Sequence, residues 1–375
     1  MWAGVASVMG YINPYLLDRG LTATDVGVLL ALSGIGSALI QPLTGGLADR
    51  KGKPTLRTIM LAVLGIFALI AAAAAFLHSL GGMALGVVLA VATMVWGLLT
   101  PLTHAVGSAG EREGLLRYDI ARGIGSVGYA AAFFAMGQFI EGRSWLVPAA
   151  MFFWAALMLV GLLTYPVPES TGGEETDRGL GLDFLRRYPR FRTLLLGELG
   201  VLLGHSVISH FALQIVQAHG GGEPQMGIAL ALACMTELPV MFGYGLLRKR
   251  FRAGTLLIVG AVFFTLKCAL TWATGTMTGF YLVQLTQMPA WGITAMAHVQ
   301  FIGEEMDPGD RVKGQTFFSM VQAAGSVIGS LIGGWLIDHA GMDALMGFAT
   351  GASLLGMTAV IWAMRLPRLS AKARS

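Results

Sequence analysis

Residues 55–77 read TLRTIMLAVLGIFALIAAAAAFL and carry a single charge, Arg57, near one end. As a helix, a run of this length is long enough to cross the hydrocarbon layer of a bilayer, which is about 30 Å thick. An apolar run of roughly 18 residues or more is typical of a transmembrane helix. The stretch therefore predicts that the chain crosses a membrane here.

Similar apolar runs fill most of the 375 residues, and we predict an all-α polytopic membrane protein with twelve transmembrane helices. The predicted helices occupy residues 1–18, 25–48, 55–77, 82–104, 119–141, 145–166, 192–218, 224–247, 254–274, 277–303, 313–338 and 343–366. The first run lacks a basic leader and a cleavage site, so we interpret it as a retained span and not as a signal peptide. Because Met1 already lies inside that run, we expect the true start to lie upstream.

The basic residues are divided unequally between the two sides of the predicted helices. Of the 25 Lys and Arg residues, 21 lie on one side and two, Arg19 and Arg143, on the other. Cations in short loops remain in the cytoplasm during insertion. We therefore expect a protein of the plasma (inner) membrane with both termini cytoplasmic. The last two cations, Arg122 and Lys267, lie within predicted helices.

Composition excludes several classes of protein. Only 12% of the residues are charged and 55% are hydrophobic, which argues against a soluble domain. The net charge of +4 comes from the short loops, and no basic stretch interleaved with aromatic residues indicates nucleic-acid binding. Cys234 and Cys268 lie in separate predicted helices and indicate neither a disulfide framework nor a metal site. We predict a monomer without a cofactor or a metal.

The longest gap between predicted helices divides the chain into two halves. We predict an N-terminal six-helix bundle at 1–166, a cytoplasmic interdomain loop at 167–191, and a C-terminal six-helix bundle with a short tail at 192–375. The gap is rich in charge, which is typical of a solvated connection.

An internal repeat supports this division. The tripeptide GSV at 125–127 recurs at 325–327, an offset of 200 residues. Duplicated halves are the architecture of a large class of transporters whose substrate site lies near mid-membrane. Gly325, Gly329 and Gly333 are spaced four residues apart, a pattern that predicts close contact with another helix.

The turn at residues 45–53, GGLADRKGK, resembles the signature of the major facilitator superfamily between helices 2 and 3. The resemblance implies a conformational latch formed by Asp49, Arg50 and Gly52, in which the carboxylate meets the end of helix 11. Pro54 departs from the signature, which commonly has a second basic residue there. The alternative is a solvated charged turn that only directs insertion.

Within that superfamily the chain is similar to the oligosaccharide:proton symporters typified by lactose permease and to the phenylpropionate transporters. The resemblance covers most of the length and includes TDVG at 24–27, YDIAR at 118–122 and ELPV at 237–240. It implies the major facilitator fold, with twelve helices in two six-helix bundles that alternate access to a central site.

The resemblance also implies roles for individual residues. Arg122 matches an arginine that binds sugar hydroxyls with its planar fork, and Tyr129 matches an aromatic residue that stacks on the sugar ring. Glu237 matches an acidic residue that contacts substrate and takes part in proton coupling, and Lys267 falls where the branch carries an arginine. A charge at mid-membrane is costly and indicates a function by default. The alternative is a buried pair that fixes helix register.

Other positions depart from the lactose permease pattern. His104 replaces an acidic residue that accepts hydrogen bonds from sugar hydroxyls. Gln287 and Ala290 replace the His and Glu that serve the proton pathway of lactose permease. These changes suit a carboxylate-bearing or phenolic solute at least as well as a neutral sugar. His298 falls where the phenylpropionate group carries a histidine, although a lone histidine often only packs. We expect Glu198 to extend toward the cytoplasmic surface.

The substrate-binding candidates are therefore His104, Arg122, Tyr129, Glu237, Lys267 and His298, and Glu237 is also the candidate for proton coupling.

These observations predict a secondary active transporter that takes up a small polar organic solute, sugar-like or an aromatic or organic acid, together with protons. A proton-antiport exporter of sugars or drugs and a uniporter remain alternatives. The run 123–141 contains no proline, unlike the antiporter signature, which favours symport. A membrane-embedded enzyme would need a nucleophile or metal set that the sequence lacks, and a receptor would not need charges at mid-membrane.

Topology can be tested by labelling single cysteines in a background in which Cys234 and Cys268 are serine. An impermeant thiol reagent added to intact cells should label cysteines placed at Ser79 and Gly221 but not one at Gly173, because the cation bias keeps 167–191 inside. Labelling of Gly173 alone would show that the orientation is inverted.

Overall fold

The computed structural model describes residues 1–48, 55–76, 82–165, 167 and 182–367. Within these ranges the structure is helical and contains no strand. The candidate latch residues Asp49, Arg50 and Gly52 lie outside the described residues, as does most of the predicted interdomain loop. Nine helices of the described part are long and apolar enough to cross a membrane.

The chain forms two compact units, the first of which comprises Met1–Thr176 and Gly221–Ala231. The helices that begin in this unit are α1 (Trp2–Val8), α2 (Ile12–Asp18), α3 (Ala23–Ala48), α4 (Leu56–Phe76), α5 (Gly82–Arg112), α6 (Tyr118–Ile140), α7 (Leu146–Thr164) and the first turns of α11 (Glu223–Arg250).

The second unit comprises Asp177–Gly220 and Leu232–Ser375. It contains the rest of α11, and its other helices are α8 (Leu182–Arg187), α9 (Pro189–His210), α10 (Ala212–Ala218), α12 (Ala253–Ala273), α13 (Met277–Gln284), a π-helix (Met288–Gly292), α14 (Ile293–Glu305), a short 3₁₀ turn (Pro308–Asp310) and α15 (Arg311–Arg365).

Interruptions explain why nine long helices are found where twelve spans are predicted. The span 1–18 contains a 3₁₀ turn at Met9–Tyr11, and the span 277–303 contains the π-helix. The two last spans run together as α15, although Gly341 between them is non-helical (φ 81°). A π-helical turn inserts an extra residue and re-aims the side chains after it, and it is frequent at functional sites.

The predicted repeat recurs in the backbone conformation. The first helical run breaks at Tyr11 (φ −111°, ψ 7°), and the run starting at Pro189 breaks 200 residues later at Phe211 (φ −109°, ψ 29°). Gly20 and Gly220 follow these runs, and both have a φ near 80°. L-residues with side chains rarely adopt this conformation, so glycine is the residue that can close each run. The two halves of the sequence therefore share local structure.

Glycines bring α9 and α15 into close contact. A Cβ on Gly200 would lie 2.6 Å from Ala352 O, and one on Gly356 would lie 2.5 Å from Gly197 O and from Val201 N. On the other side of Gly341, a Cβ on Gly329 would lie 3.2 Å from Ser206 Cβ.

The predicted close contact of Gly325, Gly329 and Gly333 with another helix is thereby confirmed. Added carbons on Gly325 and Gly333 would lie 3.2 Å from Leu203 N and 2.5 Å from Phe211 Cε2. In a membrane, where apolar surface gains little from contact with other apolar surface, close backbone packing is a principal source of helix association.

Large apolar side chains are exposed along the long helices. Leu69 is 73% exposed, Phe76 is 84% exposed and Leu355 is 73% exposed. Such side chains in continuous apolar spans are stable against lipid, whereas a soluble protein rarely exposes large apolar patches. The chain is an integral, multi-pass membrane protein.

Gly356→Ala should destabilise the protein, because the new methyl group would meet the backbone of α9 and the two helices would have to separate. Overpacking of this kind costs about 1–3 kcal/mol. Gly351→Ala is the matched control on the same helix, since within the described residues a methyl group added there would have no atom of another helix within 4 Å. The apparent melting temperature in detergent should fall only for Gly356→Ala; equal melting temperatures would contradict the packing.

Candidate functional site

In the first unit, Arg122 lies over the indole of Trp2. Its Cζ is 4.1 Å from the centroid of the Trp2 ring. A guanidinium placed over an indole gains about 0.5–2 kcal/mol, more when the site is desolvated. A guanidinium donates hydrogen bonds from a planar fork of N–H groups. The contact with Trp2 fixes the position of the Arg122 guanidinium.

Two further rings complete this group, which we call the Trp2 cluster (Trp2, His104, Arg122 and Tyr129). The ring centroids of His104 and Tyr129 lie 5.9 and 6.5 Å from that of Trp2, both edge to face. A Cβ on Gly125 would lie 2.8 Å from Trp2 Cδ1, so glycine makes room for the indole against α6. All four side chains are partly exposed. The cluster combines three π-systems with one permanent cation.

In the second unit, a hydrogen-bonded chain joins Lys267 to Glu237. Lys267 Nζ donates to Gln287 Oε1 at 2.6 Å, and Gln287 Nε2 donates to Glu237 Oε1 at 2.8 Å. Lys267 is 4% exposed and Gln287 is 6% exposed, whereas Glu237 is partly exposed. The side-chain amide of Gln287 accepts a hydrogen bond from the cation with its oxygen and donates one to the carboxylate with its nitrogen. A buried ammonium is thereby connected to the carboxylate of a partly exposed residue.

Aromatic side chains lie close to this chain. The ring of His205 stacks on Trp291 with centroids 5.4 Å apart, and it lies 5.0 Å from Phe264. Trp291 belongs to the π-helix that follows Gln287, and Gly292 of the same turn packs against the backbone of Glu237. The extra residue of the π-helix thus sets the direction of Trp291 relative to Gln287.

The structure buries His298 and Glu198 together. His298 Nε2 lies 3.3 Å from Glu198 Oε1, and both side chains are 1% exposed. The expectation that Glu198 extends to the cytoplasmic surface is wrong, because α9 aims it at α14 inside the unit. For His298, a role in substrate binding stays a prediction, and its placement is that of a buried residue.

The structure groups some of the predicted residues and adds others. His104, Arg122 and Tyr129 lie together as one cluster, and Glu237 and Lys267 are linked. Trp2 and Gln287 are not among the predicted binding residues, although Trp2 contacts three of them and Gln287 contacts two. The contacts of Trp2 depend on the register between α1 and α6, for which the sequence contains no signal. In the sequence, Gln287 is visible only as a departure from the family pattern.

Gln287→Leu should destabilise the protein by roughly 3 kcal/mol, since it leaves a buried ammonium without its acceptor. Adding Lys267→Met to Gln287→Leu should recover part of that loss, because the unpaired charge is removed. Gln284→Leu is the control: Gln284 is also buried, but among the described residues its amide bonds only to Phe280 O of its own helix. Apparent melting temperatures are compared for these three variants and for Lys267→Met alone, and simple additivity of the two changes would contradict the link.

Curated relatives match the chain at low identity. Quinolone resistance protein NorA of Staphylococcus aureus is 24% identical over 179 residues, and the match covers 46% of this chain. It spans 45%, about half, of the length of NorA. A putative sugar efflux transporter of Deinococcus radiodurans is 21% identical over 361 residues, which cover 94% of this chain and 92% of the relative.

Solved structures share the fold. Nucleoside transporter NupG superposes with a TM-score of 0.76 at 16% identity, covering 98% of this chain and 96% of NupG. Its D323A mutant gives a TM-score of 0.77 at 15% identity, covering 97% and 95%. At such identities the likeness concerns the fold alone.

A family model extends over nearly the whole sequence. The model of the MFS_1 like family matches residues 1–348. The chain therefore belongs to the MFS_1 like family, and its resemblance to the major facilitator superfamily is confirmed.

Proposed function

We propose that the protein is a secondary active transporter that works by alternating access and takes up a small polar organic solute with protons. Membership of the MFS_1 like family and the fold shared with NupG support this. We also propose twelve transmembrane helices in two six-helix bundles, with both termini on the cytoplasmic side of the plasma (inner) membrane. The cation bias of the loops supports the orientation.

The Trp2 cluster carries the proposal for solute binding. An indole and a phenol at an angle to each other offer faces and edges to a ring, and a guanidinium held at 4.1 Å offers paired donors to oxygen acceptors. A solute with a ring and adjacent oxygen atoms matches both features. Sugars, aromatic acids and nucleosides meet this description, and NupG is described as a nucleoside transporter.

The Lys267–Gln287–Glu237 chain supports the proposal for coupling. Glu237 is partly exposed, and Gln287 links its carboxylate to the buried ammonium of Lys267. Protonating Glu237 removes the negative charge that faces the Gln287 amide and Lys267. A proton and the arrangement of these three side chains are therefore linked.

An exporter is the second candidate function. One relative that aligns with almost the whole chain is described as a putative sugar efflux transporter. The absence of proline from 123–141 favours uptake with protons over antiport. The direction in which solute moves across a vesicle membrane, relative to the imposed proton gradient, decides between uptake and export.

Arg122→Ala should abolish solute binding, and Arg122→Lys should restore little of it, because a point charge cannot reproduce a planar fork. Binding is measured as the rise in melting temperature of the purified protein with sugars, phenylpropionate-type acids and nucleosides, since a ligand of the folded state raises stability. Arg143→Lys, a change in a predicted loop, is the control. Wild-type affinity in Arg122→Lys would refute the role of the fork.

Glu237→Gln should retain exchange of solute across the membrane and lose accumulation driven by a pH gradient, because the amide mimics the protonated carboxyl and cannot release a proton. Counterflow and pH-driven uptake in proteoliposomes measure the two properties separately. Accumulation by Glu237→Gln would place the coupling proton elsewhere. A wild type that ignores the pH gradient would show uniport or another coupling ion.

A further inference from the structure

A second pair of titratable side chains lies in the interior of the second unit. Glu198 on α9 and His298 on α14 approach to 3.3 Å (Oε1 to Nε2), and each is 1% exposed. Burial of an ionised carboxylate in this setting is costly unless it is paired with a charge or with hydrogen-bond donors. A buried carboxylate at Glu198 therefore needs a positive charge or hydrogen-bond donors beside it.

Both ring nitrogens of His298 face hydrogen-bond acceptors. Nδ1 lies 2.8 Å from the carbonyl oxygen of Thr294, and Nε2 faces Glu198 Oε1. A carbonyl oxygen and a carboxylate can only accept, and a neutral imidazole carries a single N–H. Only the cationic ring has a hydrogen for both contacts.

Without an added proton, the pair brings two acceptors together. A neutral His298 has one N–H, so a nitrogen lone pair would face either the Thr294 carbonyl oxygen or the carboxylate of Glu198. Glu198 Oε2 has no hydrogen-bond partner in the described part of the chain, and Nε2 makes no aligned hydrogen bond either. One proton removes the conflict in either of two positions, as an imidazolium beside a carboxylate or as a carboxylic acid beside a neutral imidazole.

The same proton strengthens contact with a third helix. The ring of Phe318 on α15 stacks on His298 with centroids 3.5 Å apart and an interplanar angle of 29°. A cation over an aromatic face is attracted by the ring quadrupole. An imidazolium at His298 therefore binds more strongly to α9, through Glu198, and to α15, through Phe318.

Several other ionisable groups on the surrounding helices have partners of their own. At the start of α9 and the end of α14, Arg190 pairs with Glu305 at 3.1 Å. Gln287 joins Lys267 on α12 to Glu237 on α11, and Asp310 in the 3₁₀ turn before α15 pairs with Arg187 and Lys313. His205 on α9 stacks on Trp291, and His210 Nε2 lies 3.2 Å from Ser326 Oγ. Eight residues, about 12 Å along a helix, separate Arg190 from Glu198. The carboxylates and cations named here are thus paired at other places.

We propose that Glu198 and His298 form a proton-binding site that takes up one proton from water and returns it during transport. Loading this site tightens the packing of α9, α14 and α15, and unloading it loosens the three helices. The inference rests on the proposed proton-coupled function and adds a site distinct from Glu237. The reaction is protonation alone, with no other bond made or broken.

Spectroscopy of the whole purified protein tests the site directly. The ¹⁵N shifts of the His298 ring, assigned by their loss in His298→Gln, and the infrared carboxyl band of Glu198, assigned by its loss in Glu198→Gln, together cover both positions of the proton. At least one of these signals should change from one charge state to the other as the pH of the solution is varied. If the His298 and Glu198 signals each report the same charge state at every pH, the proposal is overturned.

Transport assays test the role of the site. Glu198→Gln and His298→Gln should retain counterflow and lose accumulation driven by a pH gradient. Glu304→Gln is the control, since Glu304 is an exposed carboxylate on α14 that accepts a hydrogen bond from Gln300. If Glu198→Gln and His298→Gln both accumulate solute as fully as the wild type does, the role of the site in transport is overturned.

The two measurements separate the failure of this inference from failure of the proposed function. If the wild type does not accumulate solute in a pH gradient, proton coupling is wrong, and the spectra still decide whether the pair binds a proton. If Glu198→Gln does not fold, Glu198→Asp keeps the carboxylate and should retain a titrating His298 signal. A His298 that no longer responds to pH in folded Glu198→Asp, with accumulation intact, would overturn the proposal.

Discussion

A charged or polar side chain in the interior of a membrane protein needs a partner within the protein, because lipid supplies none. The second unit meets this need with Lys267, Gln287 and Glu237 in a chain, Glu198 with His298, and Arg190 with Glu305. Each group joins side chains from different helices. The same contacts that make the charges tolerable therefore also determine how the helices pack.

Close packing of the helices depends on residues with little or no side chain. α9 and α15 approach until backbone atoms of one touch those of the other at Gly200 and Gly356. The breaks at Tyr11 and Phe211 and the π-helix before α14 then set the direction of the side chains that follow. Regular helices alone would turn Trp291 and His298 toward other neighbours. Interruptions in helices thus position polar groups.

The candidate site could be predicted in part. Arg122 and Tyr129 are seven residues apart on one helix, so the helical period places them on one face, and both contact Trp2. By sequence, Gln287 is the loss of a histidine of the family's proton pathway, whereas in the structure it joins Lys267 to Glu237. Glu198 is expected at the surface because it lies near a helix end in the sequence. These errors concern contacts between helices, which no spacing within one helix reveals.

By itself, the sequence determined that the chain is a helical membrane protein with a duplicated pattern, because the length of apolar runs, the bias of the cations and the repeat at 200 residues are properties of linear order. Its signature turn also indicated the superfamily. Only the tertiary structure decided which side chains meet: that Trp2 lies under Arg122, that an amide separates Lys267 from Glu237, and that Glu198 faces His298. The physical reason is that a partner is chosen by the register and rotation of one helix against another. Those are set by glycine contacts and local breaks acting together across residues far apart in the chain.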